Sequence, residues 1–164
     1  MKPRFVLCFL AVFFCCLLSE VKAQTYFEQN VTLNVMAANI PEMGIDYSCG
    51  VNLDDVFFVG VGIGVGGWLD LKDEYYGDFV CPVFGQVRTT FLKHCDVRPY
   101  ISLSAGVDCM SAEIVGNSNL GISFWATNSA KLYLGVGYSI CPIEYDWVEY
   151  TMKGTISAHL GISF

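Results

Sequence analysis

The sequence holds few charged residues for its length. Only 15% of its 164 residues are Asp, Glu, Lys or Arg, whereas 54% are hydrophobic. Basic residues are scarcer than acidic residues, and the formal net charge of −7 argues against a chain that binds nucleic acid. No apolar run of about 18 residues follows the N-terminal segment, so the sequence predicts no membrane-spanning helix. The hydrophobic side chains must therefore be spread over short segments.

The cysteines lack the spacing of a metal site. No C-x-x-C pattern occurs, and no loop has the acidic spacing of an EF-hand. The cysteines beyond the N-terminal segment are odd in number and evenly scattered: Cys49, Cys81, Cys95, Cys109 and Cys141. We therefore predict no metal site, no cofactor and no disulfide framework. One pair could still bridge, and Cys109 with Cys141, near two predicted loop ends, is the favoured pair.

The N-terminal segment has the pattern of a secretory signal peptide. A basic start precedes an uncharged apolar run from Phe5 to Leu18, and a small-residue cleavage site follows. We predict a signal peptide at 1–23, cleaved between Ala23 and Gln24, and one exported domain at 24–164. The alternative is a retained membrane anchor, which the shortness of the apolar run disfavours.

The stretch from Val56 to Asp70 alternates apolar side chains with glycines. Its apolar parity is Phe57, Val59, Val61, Ile63, Val65 and Leu69, and its glycine parity is Gly60, Gly62, Gly64 and Gly66. A period of two predicts a β-strand. Similar alternation predicts further strands at Val31–Asn39, Met43–Leu53, Asp78–Phe91, Val97–Cys109, Leu120–Ala126, Leu132–Ile140 and Thr155–Phe164. The count is eight, at about ten residues each, which is the length of a tilted strand that crosses a bilayer.

The predicted connections alternate in length. Short turns are expected at Asp54–Asp55, Leu92–Asp96 and Thr127–Ala130, and longer loops at Lys72–Gly77, Met110–Asn117 and Pro142–Thr151. The non-apolar parity is mostly Gly, Ser, Thr and Asn. These small side chains suit the cramped interior of a small barrel better than the solvent-exposed face of a β-sandwich. The predicted fold is therefore an all-β, eight-stranded antiparallel up-and-down transmembrane β-barrel. The soluble alternatives include a lipocalin-like barrel, whose apolar parity would point inward.

Four stretches carry a resemblance to a known family. They are Phe57–Gly66, Pro82–Arg88, Pro99–Gly106 and the last strand, which ends at Phe164. The chain resembles the small eight-stranded outer-membrane barrels of Gram-negative bacteria, the OmpA/OmpX-like outer-membrane protein β-barrel domain. The resemblance implies a monomer in the outer membrane, in contact with its lipid. It also implies that Phe164 belongs to a C-terminal signal read by the barrel-insertion machinery.

A few inward-facing polar residues are candidates for chemistry. The sequence predicts a polar network in the lumen, with acids and bases paired: Asp46, Arg88, Arg98, Asp108, Lys131 and His159. Ser157 shares a face with His159, which leaves open a nucleophile–base pair, although no acid is evident to orient it. We therefore assign no catalytic residue. Substitution of Val61 by a charged residue is expected to block insertion, and Gly62→Ser to be tolerated.

The expected function lies at the surface. Acidic residues gather where the longer loops are predicted: Asp70, Asp73, Glu74, Asp78, Glu113, Glu144, Asp146 and Glu149. The sequence favours a structural or surface-interaction role through these outward loops, whose ligand it does not identify. The alternatives are a lipid-modifying barrel enzyme, either an acyl hydrolase or an acyltransferase, and a narrow channel. A channel is the least favoured, because eight strands leave little free bore.

Overall fold

The chain is built of β-strands joined by short connections. The computed structural model describes residues 25–37, 42–68, 79–145 and 149–164. The strands are β1 Thr25–Ala37, β2 Glu42–Leu53, β3 Phe57–Trp68, β4 Phe79–Val80, β5 Pro82–Thr90, β6 Val97–Asp108, β7 Ile114–Trp125, β8 Lys131–Tyr145 and β9 Glu149–Ser163. Among these residues, no helix is long and apolar enough to cross a membrane.

The strands form one closed antiparallel sheet. Each strand pairs with its neighbours in sequence, and β1 also pairs with β9, with Leu33 opposite Leu160. Strands β4 and β5 both pair with β3 and form one wall strand, interrupted at Cys81 beside Pro82, which has no backbone N–H to donate. The result is the predicted eight-stranded antiparallel barrel, which is confirmed.

The apolar parity points outward. On β3, Val61 is 64% exposed and Ile63 is 50% exposed, whereas Phe58 on the other parity is 1% exposed. The same division holds around the wall, and the buried polar side chains lie inside. This orientation suits a lipid environment and is opposite to that of the lipocalin-like alternative.

The glycines of β3 make room inside the barrel. A Cβ on Gly62 would lie 2.5 Å from the ring of Phe84 and 2.7 Å from the carbonyl oxygen of Tyr47. A Cβ on Gly60 would lie 2.6 Å from the ring of Phe58. The expectation that Gly62→Ser is tolerated is therefore wrong, because a ring and a backbone atom would both have to move.

Two ends of the barrel can be distinguished. The short-turn end carries the connections 54–56, 91–96 and 126–130 and both ends of the described chain, and the far end is opposite. The turn at Asp54–Asp55 is confirmed: both residues have left-handed φ angles, 58° and 61°, and Val56 N–H donates to the Leu53 carbonyl at 3.1 Å.

The predicted long loops are shorter in the structure. Strand β7 begins at Ile114, inside the predicted loop Met110–Asn117, and β8 and β9 extend through most of Pro142–Thr151. Strand β1 likewise begins at Thr25 instead of Val31. Cross-strand hydrogen bonds extend these strands where the hydrophobic alternation is weak. The predicted loop Lys72–Gly77 lies outside the described residues, as does the predicted signal peptide.

The favoured cysteine pair does not fit the topology. Cys109 follows β6, Cys141 lies in β8, and β7 runs between them. Two strand spacings amount to about 10 Å, beyond the reach of a disulfide. Cys109 is a free thiol in the structure.

Candidate functional site

Arg88 reaches across the lumen from β5 to β1, in the half of the barrel nearer the short-turn end. It lies on the inward parity of β5, is 5% exposed, and forms an ion pair with Glu28 of β1. Its guanidinium carbon lies 4.1 Å from the ring centroid of Tyr133 and 4.8 Å from that of Phe58. It also donates to Asn30 Oδ1 at 3.0 Å. A planar cation held by a carboxylate and two rings therefore lies inside the barrel at this level.

A second ionic cluster lies at the short-turn end. Lys131 Nζ lies 2.6 Å from Asp55 Oδ1 and 2.8 Å from the hydroxyl of Tyr26, and it sits 4.4 Å from the ring centroid of Trp125. Arg98 approaches the same Asp55 carboxylate at 3.6 Å. A cavity of about 370 Å³ opens beside this cluster. The cluster ties the β2–β3 turn to β1, β6 and β8.

Burial, hydrogen bonds and neighbouring charges within this cluster set the ionisation of the Asp55 carboxyl group. Burial acts to raise the pKa of its carboxyl group. Hydrogen bonds from Lys131 and Tyr26 and the positive charges of Lys131 and Arg98 outweigh that effect. The pKa of Asp55 therefore lies below its ordinary value, and the carboxylate form is the one that the fold stabilises.

A chain of uncharged and acidic groups lies nearer the far end. Ser157 Oγ is 2.8 Å from His159 Nε2 and accepts a hydrogen bond from Ser139 Oγ at 2.9 Å. His159 Nδ1 contacts Asn34 Oδ1, and the Asn34 amide donates to Asp46. This order supplies a hydroxyl, a ring nitrogen that can accept its proton and an amide that orients the ring. Ser157 is only 1% exposed.

Asp108 has a local role at the far rim. Its carboxylate accepts hydrogen bonds from the Cys81 N–H at 2.6 Å, the Ser111 N–H at 2.9 Å and the Ser111 hydroxyl at 2.8 Å. It therefore supplies hydrogen-bond acceptors for the backbone N–H groups of the turn after β6 and of the break in the β4–β5 wall strand. These contacts are structural, because they complete backbone hydrogen bonding at a rim.

The structure thus divides the six predicted lumen residues among four places. Arg88 pairs with Glu28 across the lumen, Arg98 and Lys131 lie at the short-turn end, Asp46 and His159 lie in one chain of contacts, and Asp108 lies at the far rim. The partners that sequence reasoning missed are Glu28, Asp55 and Asn34. Glu28 alternates with Tyr26 and Asn30 before the predicted start of β1, and this period of two was its only signal.

The predicted acidic surface falls largely on residues that the structure does not describe. Of that set, only Glu113 has a described side chain, and it is half-buried. In the described ranges, no three His, Cys, Asp or Glu side chains come together as ligands for a metal ion.

These features define a transmembrane β-barrel whose lumen contains a buried Arg88–Glu28 ion pair. A designed transmembrane β-barrel matches with a TM-score of 0.55 and 14% identity, covering 88% of this chain and 98% of that one. Neisserial surface protein A (NspA) matches with a TM-score of 0.52 and 15% identity, covering 87% and 98%. The outer-membrane enzyme PagL matches more weakly, with a TM-score of 0.47, 11% identity and coverage of 82% and 98%. No protein-family model and no curated protein sequence matches the chain. At such identities the likeness shows the fold alone.

Proposed function

We propose that this chain is a monomeric, integral outer-membrane protein whose role is structural or surface-interacting and is exerted at the far end. The observation that carries the proposal is the ion pair of Arg88 and Glu28, stacked between aromatic rings across the lumen. It obstructs a solute path and leaves the outer wall and the far end as the accessible surfaces. One structural neighbour is itself called a surface protein, which is consistent with this role.

The location can be tested by fractionation. The full chain, expressed in a Gram-negative host, is expected in the outer membrane and is expected to migrate differently on gels before and after boiling. Such heat-dependent migration follows from a closed sheet that leaves no edge to unravel. A chain that stays soluble without detergent would contradict the location.

The closed lumen can be tested by conductance in planar bilayers. We expect no discrete channels from the wild type. An Arg88→Ala, Tyr133→Ala variant removes the central obstruction and serves as the matched opening control, because both side chains lie in the described contact. Discrete wild-type conductance would favour the channel alternative.

The surface role can be tested in cells that lack the chain. We expect loss of the barrier to a large dye, or loss of surface attachment, with recovery when the wild-type chain is restored. A variant with Asp70, Asp73, Glu74 and Asp78 changed to their amides tests the acidic segment, and Asp96→Asn at the opposite end is the control. Equal behaviour of these two variants would exclude a role for the acidic charges.

Phe164 is proposed as part of the signal that the insertion machinery reads. It is 54% exposed and exchanges two backbone hydrogen bonds with Gln29, at 2.9 and 3.0 Å. Its ring therefore contributes surface and not core. We expect Phe164→Ala to slow assembly in cells while leaving refolding in detergent unchanged. A parallel loss in both assays would indicate a purely structural role.

The second candidate function is lipid acyl hydrolysis, favoured by the 2.8 Å contact of Ser157 and His159. The outer wall carries an open apolar groove of about 510 Å³, lined by Val35, Leu134, Ala158 and others. Such a groove has the polarity of an acyl chain. The imidazole of His159 faces the lumen, on the other side of this wall. The deep burial of Ser157 is the reason that this candidate stands second.

Hydrolysis can be tested with the purified protein in phospholipid–detergent micelles. Release of fatty acid that Ser157→Ala abolishes and Ser102→Ala preserves would favour the enzyme. Ser102 is an inward serine of β6 with similar burial, so it is a matched control. Absence of fatty-acid release from the wild type would leave the surface role.

A further inference from the structure

Two cysteines face each other at the far rim. The register of β5 and β6 places Pro82 opposite Asp108, and the next pair outward is Cys81 and Cys109. The Cys109 N–H donates to the Cys81 carbonyl at 3.0 Å, and the Cys81 N–H donates to the Asp108 carboxylate, so the two cysteines lie side by side just beyond the last ladder pair. In a hydrogen-bonded antiparallel pair the Cα atoms are about 5.5 Å apart, which is the most common Cα separation of a disulfide.

Both side chains lie on the outward parity. Each cysteine is two residues from an outward valine, Val83 at 47% and Val107 at 46% exposure. The residues that precede them, Val80 and Asp108, face inward and are buried. Cys109 is exposed and Cys81 half-buried, and both are free thiols in the structure. The two thiols therefore share one face, one edge and access from outside.

Within the described ranges, no other cysteine has a comparable partner. Cys49 lies within the wall, opposite Val61 on one side and Gln29 on the other. Cys95 lies in the turn between β5 and β6, at the short-turn end. Cys141 is separated from Cys109 by β7.

We propose that Cys81 and Cys109 form a disulfide in the exported protein, an inference that rests on the proposed location. An Sγ–Sγ bond forms as the two thiols give up two protons and two electrons to a dithiol–disulfide oxidant of the exported compartment, whose own disulfide is reduced to two thiols. The link joins the broken wall strand to β6 at the point where the Asp108 carboxylate already binds the Cys81 N–H. It would stabilise the far rim where β4, β5 and β6 meet.

The test is peptide mapping of the full chain isolated from membranes. Free thiols are alkylated without reduction, and the protein is then cleaved with trypsin and analysed by mass spectrometry. We expect peptide 73–88 joined to peptide 94–131, with separation of the two after reduction. Peptide 94–131 also contains Cys95, because trypsin does not cleave before Pro99, so the experiment is repeated with Cys95→Ser.

The variants give opposite outcomes. We expect the link to persist in Cys95→Ser and Cys49→Ser and to vanish in Cys81→Ser and in Cys109→Ser. A membrane-embedded, heat-modifiable chain whose Cys81 and Cys109 are both alkylated without reduction would overturn the disulfide and leave the proposed function intact. A link from Cys109 to peptide 132–153 would overturn it equally. A chain absent from the outer membrane would overturn the location and, with it, the disulfide.

Discussion

Val61 is the position where a charge should act most strongly against membrane insertion. It lies four residues along β3 from Phe57, a rise of about 13 Å along the strand, or about 10 Å along the membrane normal at a tilt of about 40°. An apolar band about 25 Å tall therefore has its midplane near Val61. Arginine at the midplane costs about 2–4 kcal/mol, so we expect Val61→Arg to lower the free energy of unfolding by that amount.

The assay is reversible unfolding by urea in phospholipid vesicles, followed by tryptophan fluorescence and by heat-dependent gel migration. Val97→Arg is the matched control: it is also an outward valine, 51% exposed, but it begins β6 at the short-turn end. Near an interface the same change costs about 0–1 kcal/mol. If both variants lose equal stability, or neither loses any, the outward face does not meet lipid and the reasoning fails.

Three further predictions concern the interior. Gly62→Ala is expected to lower the free energy of unfolding by about 1–3 kcal/mol through overpacking. Gly85→Ala should be near neutral, because its Cβ would meet nothing closer than 4.0 Å. Equal urea midpoints for the two variants would contradict this. Arg88→Met should lower the free energy of unfolding by about 3 kcal/mol, because it leaves the Glu28 carboxylate buried without its cation. Adding Glu28→Gln should recover part of that stability. No recovery would mean that loss of the ion pair is not the cause. Asp55→Asn should lower the urea midpoint at neutral pH. Since the folded pKa of Asp55 is lowered, its contribution is present above the unfolded pKa, about 4, and is lost as the pH falls through the folded pKa. A difference between the two proteins that does not shrink as the pH is lowered below about 4 would refute this.

The wall could be predicted from the sequence because alternation decides both strand and face. In β3, large apolar side chains occupy most of one parity and glycines occupy most of the other. The large apolar parity is predicted to face outward because the small glycines suit the cramped interior. The strand ends could not be predicted in this way. Residues such as Asn117 and Ser118 carry no apolar alternation, yet they pair with β6 because their backbone groups need partners there.

The contacts of the lumen could be predicted only in kind. Composition predicts that buried charges have partners, and Arg88 and Lys131 do. Which partner each one takes depends on barrel closure, since Glu28 and Arg88 are 60 residues apart in sequence. Asp55 sits in a tight turn, where a solvated carboxylate would be expected, and only the curvature of the wall brings Lys131 to it.

The placement of charge in the lumen limits where any activity can occur. Around the centre and the short-turn end, the carboxylates of Glu28 and Asp55 are held by cations, and aromatic rings cover those cations. Such pairs are strengthened by the low dielectric of the interior, so opening this half is costly. Toward the far end, Asn34, Asp46 and Ser139 of the chain of contacts border a cavity of only about 70 Å³, room for a few water molecules. A ligand of the far rim and a substrate of Ser157 must both arrive from the far end or the wall, whereas an ion path would have to break the Arg88–Glu28 pair.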